Sequence, residues 1–282
     1  MLTVTSAIEM TAASKQARGA GRRVGFVPTM GALHAGHISL VRAARAQTNV
    51  VVASIFVNPK QFGPSEDFTK YPRSLDSDTK MLAAENTDFL FCPSVEEMYP
   101  AGATAWVEVE GISDKLDGRS RPGHFRGVTT VVAKLFNIVQ PDAAFFGQKD
   151  AAQAAVIRKM VRDLNFDVGI VVCPIVREPD GLAMSSRNAY LSPAERKQAT
   201  VLSRSLQRVQ QMASQGERDA GRLASAGKHV MSEEPSVRLD YLEVVSPDTL
   251  DAVADVSQGA LVAVAAYVGS TRLIDNIVLD KG

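Results

Sequence analysis

The amino-acid sequence predicts an α/β protein in which a doubly wound, Rossmann-like parallel sheet precedes a smaller α+β domain. Up to Pro174, short and almost continuously apolar runs alternate with segments of helical periodicity. This alternation is typical of a parallel sheet that is covered on both faces. After Pro174 the alternation stops, and helical segments are followed by strand-like ones. We therefore expect a first domain over residues 1–176 and a second over residues 177–282.

The first domain contains five apolar runs and four helical segments. In a doubly wound sheet, ligands bind at the carboxyl ends of the strands, so the residues that follow each strand are candidates for the binding site. The predicted strands are Val24–Val27, Val50–Phe56, Phe89–Phe91, Ala143–Phe146 and Val168–Cys173. The predicted helices are Gly36–Gln47, Leu75–Glu85, Val128–Val139 and Asp150–Leu164.

The second domain begins with a clear helix start at Ser192-Pro193-Ala194-Glu195. Serine at the N-cap, proline at the first helical position and glutamate two residues later form a capping box. The helix that follows is expected to end near Ser214. A second helix and three strands complete the domain, over Asp219–Ser232, Arg238–Val245, Leu261–Val268 and Ile274–Leu279.

The composition excludes several classes of protein. Lysine plus arginine and aspartate plus glutamate each number 31 of 282 residues, so zero net charge gives no electrostatic reason to expect nucleic-acid binding. The longest apolar stretch, Ala260–Val268, is far shorter than the roughly 20 residues of a membrane span. Two cysteines and an N-terminus without a signal-peptide pattern fit a cytoplasmic protein.

The segment Pro28–His37 places two histidines, His34 and His37, between a predicted strand and a predicted helix. The start of a helix offers unpaired N–H groups and a positive dipole end, which suit phosphate. Gly31 and Gly36 allow the backbone to approach a ligand closely. The pattern indicates a nucleotide triphosphate site of the His-x-x-His type.

A zinc site is the alternative for a histidine pair, and it would need further ligands nearby. The chain has four histidines and two cysteines, and no third ligand stands out beside the pair. We therefore predict that no residue of the protein serves as a metal ligand.

The segment Asn58–Gly63 follows the next apolar strand. The amides of Asn58 and Gln61 can fix a hydroxyl or a carboxylate without adding charge. An ordinary turn is the alternative, because Asn-Pro and Phe-Gly both favour turns.

The segment Gly118–Gly127 carries three arginines and His124 just before a helix. Arginine pairs well with phosphate or carboxylate. A solvated surface loop explains the composition equally well.

A second strand–glycine–helix junction lies at Phe145–Gln153. Here Lys149 can neutralise triphosphate charge, whereas Asp150 is explained as a helix N-cap. Gln153 lies one helical turn after Lys149, and an exposed helical position is its alternative explanation. The inter-domain loop Met184–Asn188 is similar to mobile loops that close on ATP phosphates, although serine and arginine in loops are usually solvated.

Together these segments resemble the pantoate–β-alanine ligase family over nearly the whole chain. The resemblance implies ATP-dependent condensation of pantoate with β-alanine through a pantoyl-adenylate, which releases AMP and pyrophosphate and uses Mg²⁺. It also implies a cytoplasmic homodimer whose C-terminal domain acts as a lid. The segments that carry it, in the family's order, are Pro28–His37, Val57–Phe62, Arg121–Phe125, Phe146–Asp150 and Met184–Asn188.

The resemblance also implies roles for individual residues. The catalytic residues would be His34, His37 and Lys149. The pantoate-binding residues would be Gln61, Gln153 and Met30. The ATP-binding residues would be Met30, His37, Gly147, Lys149, Asp150, Val176, Met184, Ser185, Ser186 and Arg187. The Arg121–His124 loop lies close to the site in the family, without a defined role.

One segment departs from the family's pattern. Where the family often has Gly-Glu-Lys-Asp-Tyr-Gln-Gln, this chain has Gly147-Gln-Lys-Asp-Ala-Ala-Gln153.

Two other classes of function stay open. A nucleotidylyltransferase would share the sheet and the histidines, but Gln61 and Gln153 favour a site for a small polar acid. An RNA-binding module would need a basic face.

Overall fold

A six-stranded, entirely parallel sheet organises the first part of the chain in the order β1-β4-β3-β2-β5-β6. The structure is a computed structural model that describes residues 1–64 and 66–281. The strands are β1 Leu2–Val4, β2 Val24–Thr29, β3 Val50–Ile55, β4 Phe89–Phe91, β5 Ala143–Gly147 and β6 Gly169–Cys173. The predicted fold class is confirmed.

The central strands are buried because helices cover both faces of the sheet, as parallel strands require. Val50, Val51, Val52 and Ala53 of β3 are all at most 2% exposed. The helices of this part are α1 Ala7–Gly19, α2 Ala35–Gln47, α3 Leu75–Ala84, α4 Val95–Met98, α5 Asp117–Ser120, α6 His124–Val139 and α7 Ala151–Asp163.

Two elements at the start of the chain, β1 and α1, were not predicted. The strand has only three residues. The helix buries Met10, Ser14 and Ala17, whereas its Ile8 is 82% exposed. Because serine and alanine occupy two of the three buried positions, the helix shows no apolar period.

Helix α6 begins at His124, one turn before the predicted start at Val128. Gly123 precedes the helix with a φ of 80°, a conformation that suits glycine. Phe125 is 2% exposed, so the first turn is part of the buried face. This early start places His124 on the helix rather than in a loop.

The order of the strands reverses at β2, which pairs with β3 on one side and with β5 on the other. In doubly wound sheets, ligands bind outside the carboxyl ends of the strands at such a switch point. The segments after β2 and β3 therefore lie where the fold favours a binding site.

The later part of the chain forms an antiparallel sheet in the order β7-β8-β9. Its strands are β7 Val237–Val245, β8 Ala260–Val268 and β9 Thr271–Leu279, and its helices are α8 Pro193–Ala199, α9 Val201–Ser214 and α10 Ala220–Ser232. The capping box of Ser192 and Glu195 is present, but the helix that it starts ends at Ala199. A separate helix follows from Val201, where one long helix was predicted.

Residue contacts divide the chain into two units. The first consists of Met1–Ser113, Arg121–Gly147 and Val156–Pro174. The second takes the chain from Ile175 onward, together with Asp114–Ser120 and Gln148–Ala155. The units therefore differ from the continuous ranges expected from sequence, because these two earlier segments pack with the later part of the chain.

Candidate active site

The loop between β2 and α2 has an unusual backbone conformation. Gly31 and Ala32 have φ angles of 82° and 50°, and alanine seldom adopts positive φ. A side-chain carbon on Gly31 would lie 3.1 Å from both Asp78 Oδ2 and Ile55 Cγ2. The loop thus needs glycine at position 31, and something must hold Ala32 in place.

The carboxylate of Asp78 holds this loop. It accepts hydrogen bonds from the backbone N–H groups of Ala32 at 2.8 Å and Leu33 at 2.9 Å, and from the hydroxyl of Ser74 at 3.0 Å. Asp78 lies on α3 and is 1% exposed. Three donors satisfy the buried charge, as burial of a carboxylate requires.

His34 and His37 lie together at the start of α2, in the geometry of a capping box. His34 Nδ1 accepts a hydrogen bond from the N–H of Gly36 at 3.1 Å, and His37 Nδ1 accepts one from the N–H of His34 at 3.3 Å. The ring centroids are 4.2 Å apart. The two predicted residues are therefore brought together by the backbone of the helix start.

These contacts assign the protonation of both rings. A ring nitrogen that accepts from a backbone N–H carries no proton, so in the neutral form the proton of each ring lies on Nε2. Both imidazoles then act as Nε2–H donors at the positive end of a helix. Such a group of donors suits an anion such as phosphate.

Gln61 lies in a short 3-10 helix after β3, Pro59–Gln61, and its amide is held in one orientation. Asn58 Oδ1 accepts from the N–H of Lys60 at 3.2 Å, so Asn58 Nδ2 is the donor to Gln61 Oε1, at 3.1 Å. Gln61 Nε2 then donates to Met30 Sδ at 3.1 Å. Gln61 therefore engages the thioether of Met30 with one amide N–H, and its second N–H can donate to a ligand beside that thioether.

Two further groups fix Asn58, which is 1% exposed. Its Nδ2 also donates to the carbonyl of Gly127 at 3.1 Å, and its Oδ1 accepts from the hydroxyl of Tyr99 at 2.8 Å. Burial raises the pKa of Tyr99 well above its ordinary value. The phenol therefore stays protonated and acts as a donor to Asn58.

Within the second unit, the turn Gln148–Asp150 is held by Asn276 of β9. The Nδ2 of this residue donates to the carbonyls of Gln148 at 2.9 Å and Lys149 at 3.0 Å. Lys149 Nζ lies 3.5 Å from Asp150 Oδ1. Gln153 follows on α7 and is half-buried, and Gly147 ends β5 in the first unit.

The neighbouring residue of β9, Asp275, holds a second loop of this unit. Its carboxylate is 3% exposed and forms a two-bond pair with Arg177, at 2.6 and 2.9 Å. Arg177 also donates to the carbonyl of Gly181 at 3.0 Å. This bidentate pair fixes the chain that leads to Met184.

The predicted ATP-binding loop is ordered by its own contacts. The N–H of Met184 donates to the carbonyl of Val176 at 3.0 Å, and Ser185 Oγ accepts from the N–H of Arg187 at 3.3 Å. Ser186 begins the short 3-10 helix Ser186–Tyr190. Asn188 Nδ2 donates to Glu178 Oε1 at 2.8 Å.

The residues that hold these loops were not predicted as site residues. Asp78 and Tyr99 lie in segments whose residue types gave no chemical signal. Asp275 and Asn276 did carry one, since they interrupt the apolar strand Leu273–Leu279. Buried polar residues inside such a strand need partners, and this pattern could have identified them.

Among the described residues, no group of three or more His, Cys, Asp or Glu side chains could hold a metal ion. In the same part of the chain, no helix combines the length and the apolar character needed to cross a membrane.

The model of the pantoate-β-alanine ligase family matches residues 2–278 of the chain. Pantothenate synthetase of Koribacter versatilis is 61% identical over 280 residues, which cover 99% of this chain and 96% of that protein. Pantothenate synthetase of Acidobacterium capsulatum is 67% identical over 260 residues, 92% of this chain and 87% of that protein.

Solved structures give the same result. Pantothenate synthetase of Thermus thermophilus superposes with a TM-score of 0.93 at 49% identity, and the match covers 98% of this chain and 99% of that one. The pantoate-β-alanine ligase of Francisella tularensis, complexed with beta-gamma ATP and β-alanine, gives a TM-score of 0.80 at 33% identity, with coverage of 99% and 97%.

Proposed function

The chain belongs to the pantoate–β-alanine ligase family, and from this premise we propose how its residues carry out the ATP-dependent condensation of pantoate with β-alanine. The observation that carries the proposal is the fixed Gln61 amide, which offers its second N–H as a donor beside Met30 Sδ. Pantoate offers a carboxylate and hydroxyls as well as an apolar carbon skeleton. An N–H donor beside a thioether matches both parts.

In the first step, a carboxylate oxygen of pantoate attacks the α-phosphorus of ATP. The bond between the α-phosphorus and its bridging oxygen to the β-phosphate breaks, and pyrophosphate leaves. His34 and His37 donate from Nε2 to phosphate oxygens and stabilise the charge that develops there. Fixed donors of this kind act through positioning and electrostatics.

Further residues are proposed to bind ATP or pantoate. Lys149 binds phosphate, and Ser185, Ser186 and Arg187 bind the leaving pyrophosphate. Asp150 and Gly147 face the adenosine, together with Val176 and Met184, while Gln153 binds pantoate. The support is the family's motif order and the hydrogen bonds that order both loops.

In the second step, the amine of β-alanine attacks the acyl carbon of the adenylate. The new C–N bond forms, AMP leaves with the bonding electron pair, and the amine loses a proton. No side chain in the described part of the chain is assigned as the base.

We also propose that Mg²⁺ binds together with the triphosphate. Magnesium in nucleotide sites is usually held by phosphates and water with one or two carboxylates, rather than by a protein cage. When bound, the ion would neutralise phosphate charge.

The proposed assembly is a homodimer in the cytoplasm, with the C-terminal domain acting as a lid. The family resemblance supports the dimer and the lid. Cys92 and Cys173 are both free thiols, which is compatible with a reducing compartment.

The test is the release of AMP and pyrophosphate from ATP and Mg²⁺, with pantoate and β-alanine omitted in turn. We expect AMP to accumulate over many turnovers only when both acids are present. A product that retains the nucleotide would instead indicate a nucleotidylyltransferase and would refute the ligase assignment.

A further inference from the structure

We propose that Glu66, Arg121 and His124 form a chain of positioning residues that fixes the backbone of Gln61, and so sets the affinity for pantoate. The inference rests on the proposed role of Gln61. All members lie in the first unit. None of them needs to touch pantoate.

The chain of contacts begins at Glu66. Its carboxylate pairs with Arg121 through two bonds of 2.6 Å, from Nε and Nη2. The third guanidinium nitrogen of Arg121, Nη1, lies 2.9 Å from His124 Nε2. His124 Nδ1 lies 2.8 Å from the carbonyl oxygen of Gln61.

The donor and acceptor roles along this chain follow from its two ends. A carbonyl oxygen only accepts, so His124 Nδ1 carries a proton. An arginine Nη1 only donates, so His124 Nε2 carries none. His124 is therefore a neutral Nδ1–H tautomer, and Glu66 stabilises the arginine that enforces it.

The chain is shielded from water. His124 is 9% exposed, and the side chains of Arg121 and Glu66 are 16% and 23% exposed. Hydrogen bonds in such surroundings are more directional and more costly to break than on a surface. The Arg121–His124 segment is thus neither a solvated loop nor, with all three guanidinium nitrogens engaged, an open anion site.

Close packing of the two backbones ties the position of the Gln61 main chain to the first turn of α6, which carries His124. A side-chain carbon on Gly127, one turn after His124, would lie 2.1 Å from the carbonyl oxygen of Lys60 and 2.6 Å from Gln61 Cα. The first turn of α6 therefore lies directly on the 3-10 helix that carries Gln61. His124 holds the main chain of Gln61, and Asn58 holds its side chain.

The test compares His124→Phe with His124→Asn. Phenylalanine removes the Nδ1–H donor to the Gln61 carbonyl and leaves the longer 3.5 Å bond from Arg121 Nη2. The asparagine amide can place a donor close to the position of Nδ1. We expect His124→Phe to raise the KM for pantoate about tenfold, which corresponds to one hydrogen bond. We expect His124→Asn to recover much of this loss, and the KM for ATP to change less than about twofold in both.

The matched control is His229→Phe, because His229 is exposed on α10 and its replacement should leave both KM values unchanged. Gln61→Ala is measured in parallel. If Gln61→Ala leaves the pantoate KM unchanged, the proposed role of Gln61 fails. If Gln61→Ala raises it and His124→Phe does not, the positioning chain alone is refuted.

A spectroscopic measurement keeps the inference testable if His124→Phe does not fold. In ¹⁵N-histidine-labelled wild-type protein, His124 should give the imidazole pattern of an Nδ1–H tautomer. Glu66→Gln should lower the population of that tautomer and raise the KM for pantoate, as His124→Phe does. An Nε2–H pattern for His124 in the wild-type protein would overturn the proposal.

Discussion

The backbone N–H of His34 donates to the Nδ1 atom of His37 at 3.3 Å, so the side chain of one proposed catalytic residue satisfies a backbone donor of the other at the start of α2. Side-chain oxygens of serine, threonine or aspartate usually fill such capping positions. Here two imidazoles fill them, which leaves the protonated nitrogens, Nε2, as donors. The capping geometry and the proposed phosphate binding therefore depend on the same tautomer.

We predict that His34 and His37 are both Nε2–H tautomers when neutral. Long-range ¹H–¹⁵N spectra distinguish the two tautomers, and the chain has only four histidines, so single substitutions assign the signals. The exposed His229 serves as the reference for an unrestrained ring. An Nδ1–H pattern for either His34 or His37 would contradict the hydrogen bonds on which the phosphate assignment rests.

We predict that His37→Ala lowers the rate of AMP formation by about 10²–10³-fold, because one fixed donor to the developing charge is lost. Lys149→Ala should have an effect of similar size, because it removes a positive charge that neutralises the phosphates. Quenched-flow measurement of AMP, together with circular dichroism to confirm the fold, checks both. The control is His229→Ala, and near-normal rates in His37→Ala or Lys149→Ala would refute the assignment of that residue.

We predict that Asp78→Asn destabilises the protein by about 2 kcal/mol, since one backbone N–H of the β2–α2 loop then faces an amide donor instead of an acceptor. Urea unfolding measures this change. AMP formation by the folded variant should also fall, because His34 follows the loop directly.

The matched control for Asp78→Asn is Asp76→Asn. Asp76 lies in the same first turn of α3 but is exposed, so the two variants remove the same charge from the helix start. Equal unfolding free energies for the two variants would show that the buried contacts of Asp78 do not contribute to the stability of the protein.

We predict that Glu66 contributes to the acid sensitivity of the fold. Burial raises the pKa of its carboxyl, but hydrogen bonds and charge attraction from Arg121 outweigh burial and hold the pKa below its usual value. A carboxyl whose pKa is lower in the folded than in the unfolded protein stabilises the fold at pH values above the unfolded pKa, which is about 4.3 for glutamate. That contribution is lost as the pH falls through the folded pKa.

The measurement is the free energy of unfolding of wild type and Glu66→Gln at pH values from about 7 to 3. We expect the variant to be less stable near neutral pH, and the difference to shrink as the pH falls below about 4. A difference that stays constant over this range would contradict the ionic role of Glu66. Exposed Glu110 gives the control variant, Glu110→Gln.

The sequence by itself determined the fold class, the strands other than β1, most helices longer than one turn, the capping box at Ser192 and the family. These depend on the periodic spacing of apolar residues, on turn residues and on the order of motifs, all of which can be read along the chain. Elements without an apolar period were missed, as α1 shows, because small residues form its buried face.

Only the tertiary structure decided which groups hold the functional side chains in place. His124 and Gln61 are separated by 63 positions in sequence, and Tyr99 and Asn58 by 41, so no local pattern pairs them. The same is true of Asp78 and the loop before His34. Residue types show which side chains can donate or accept, but the direction of each hydrogen bond follows from buried backbone groups that meet only in the folded chain.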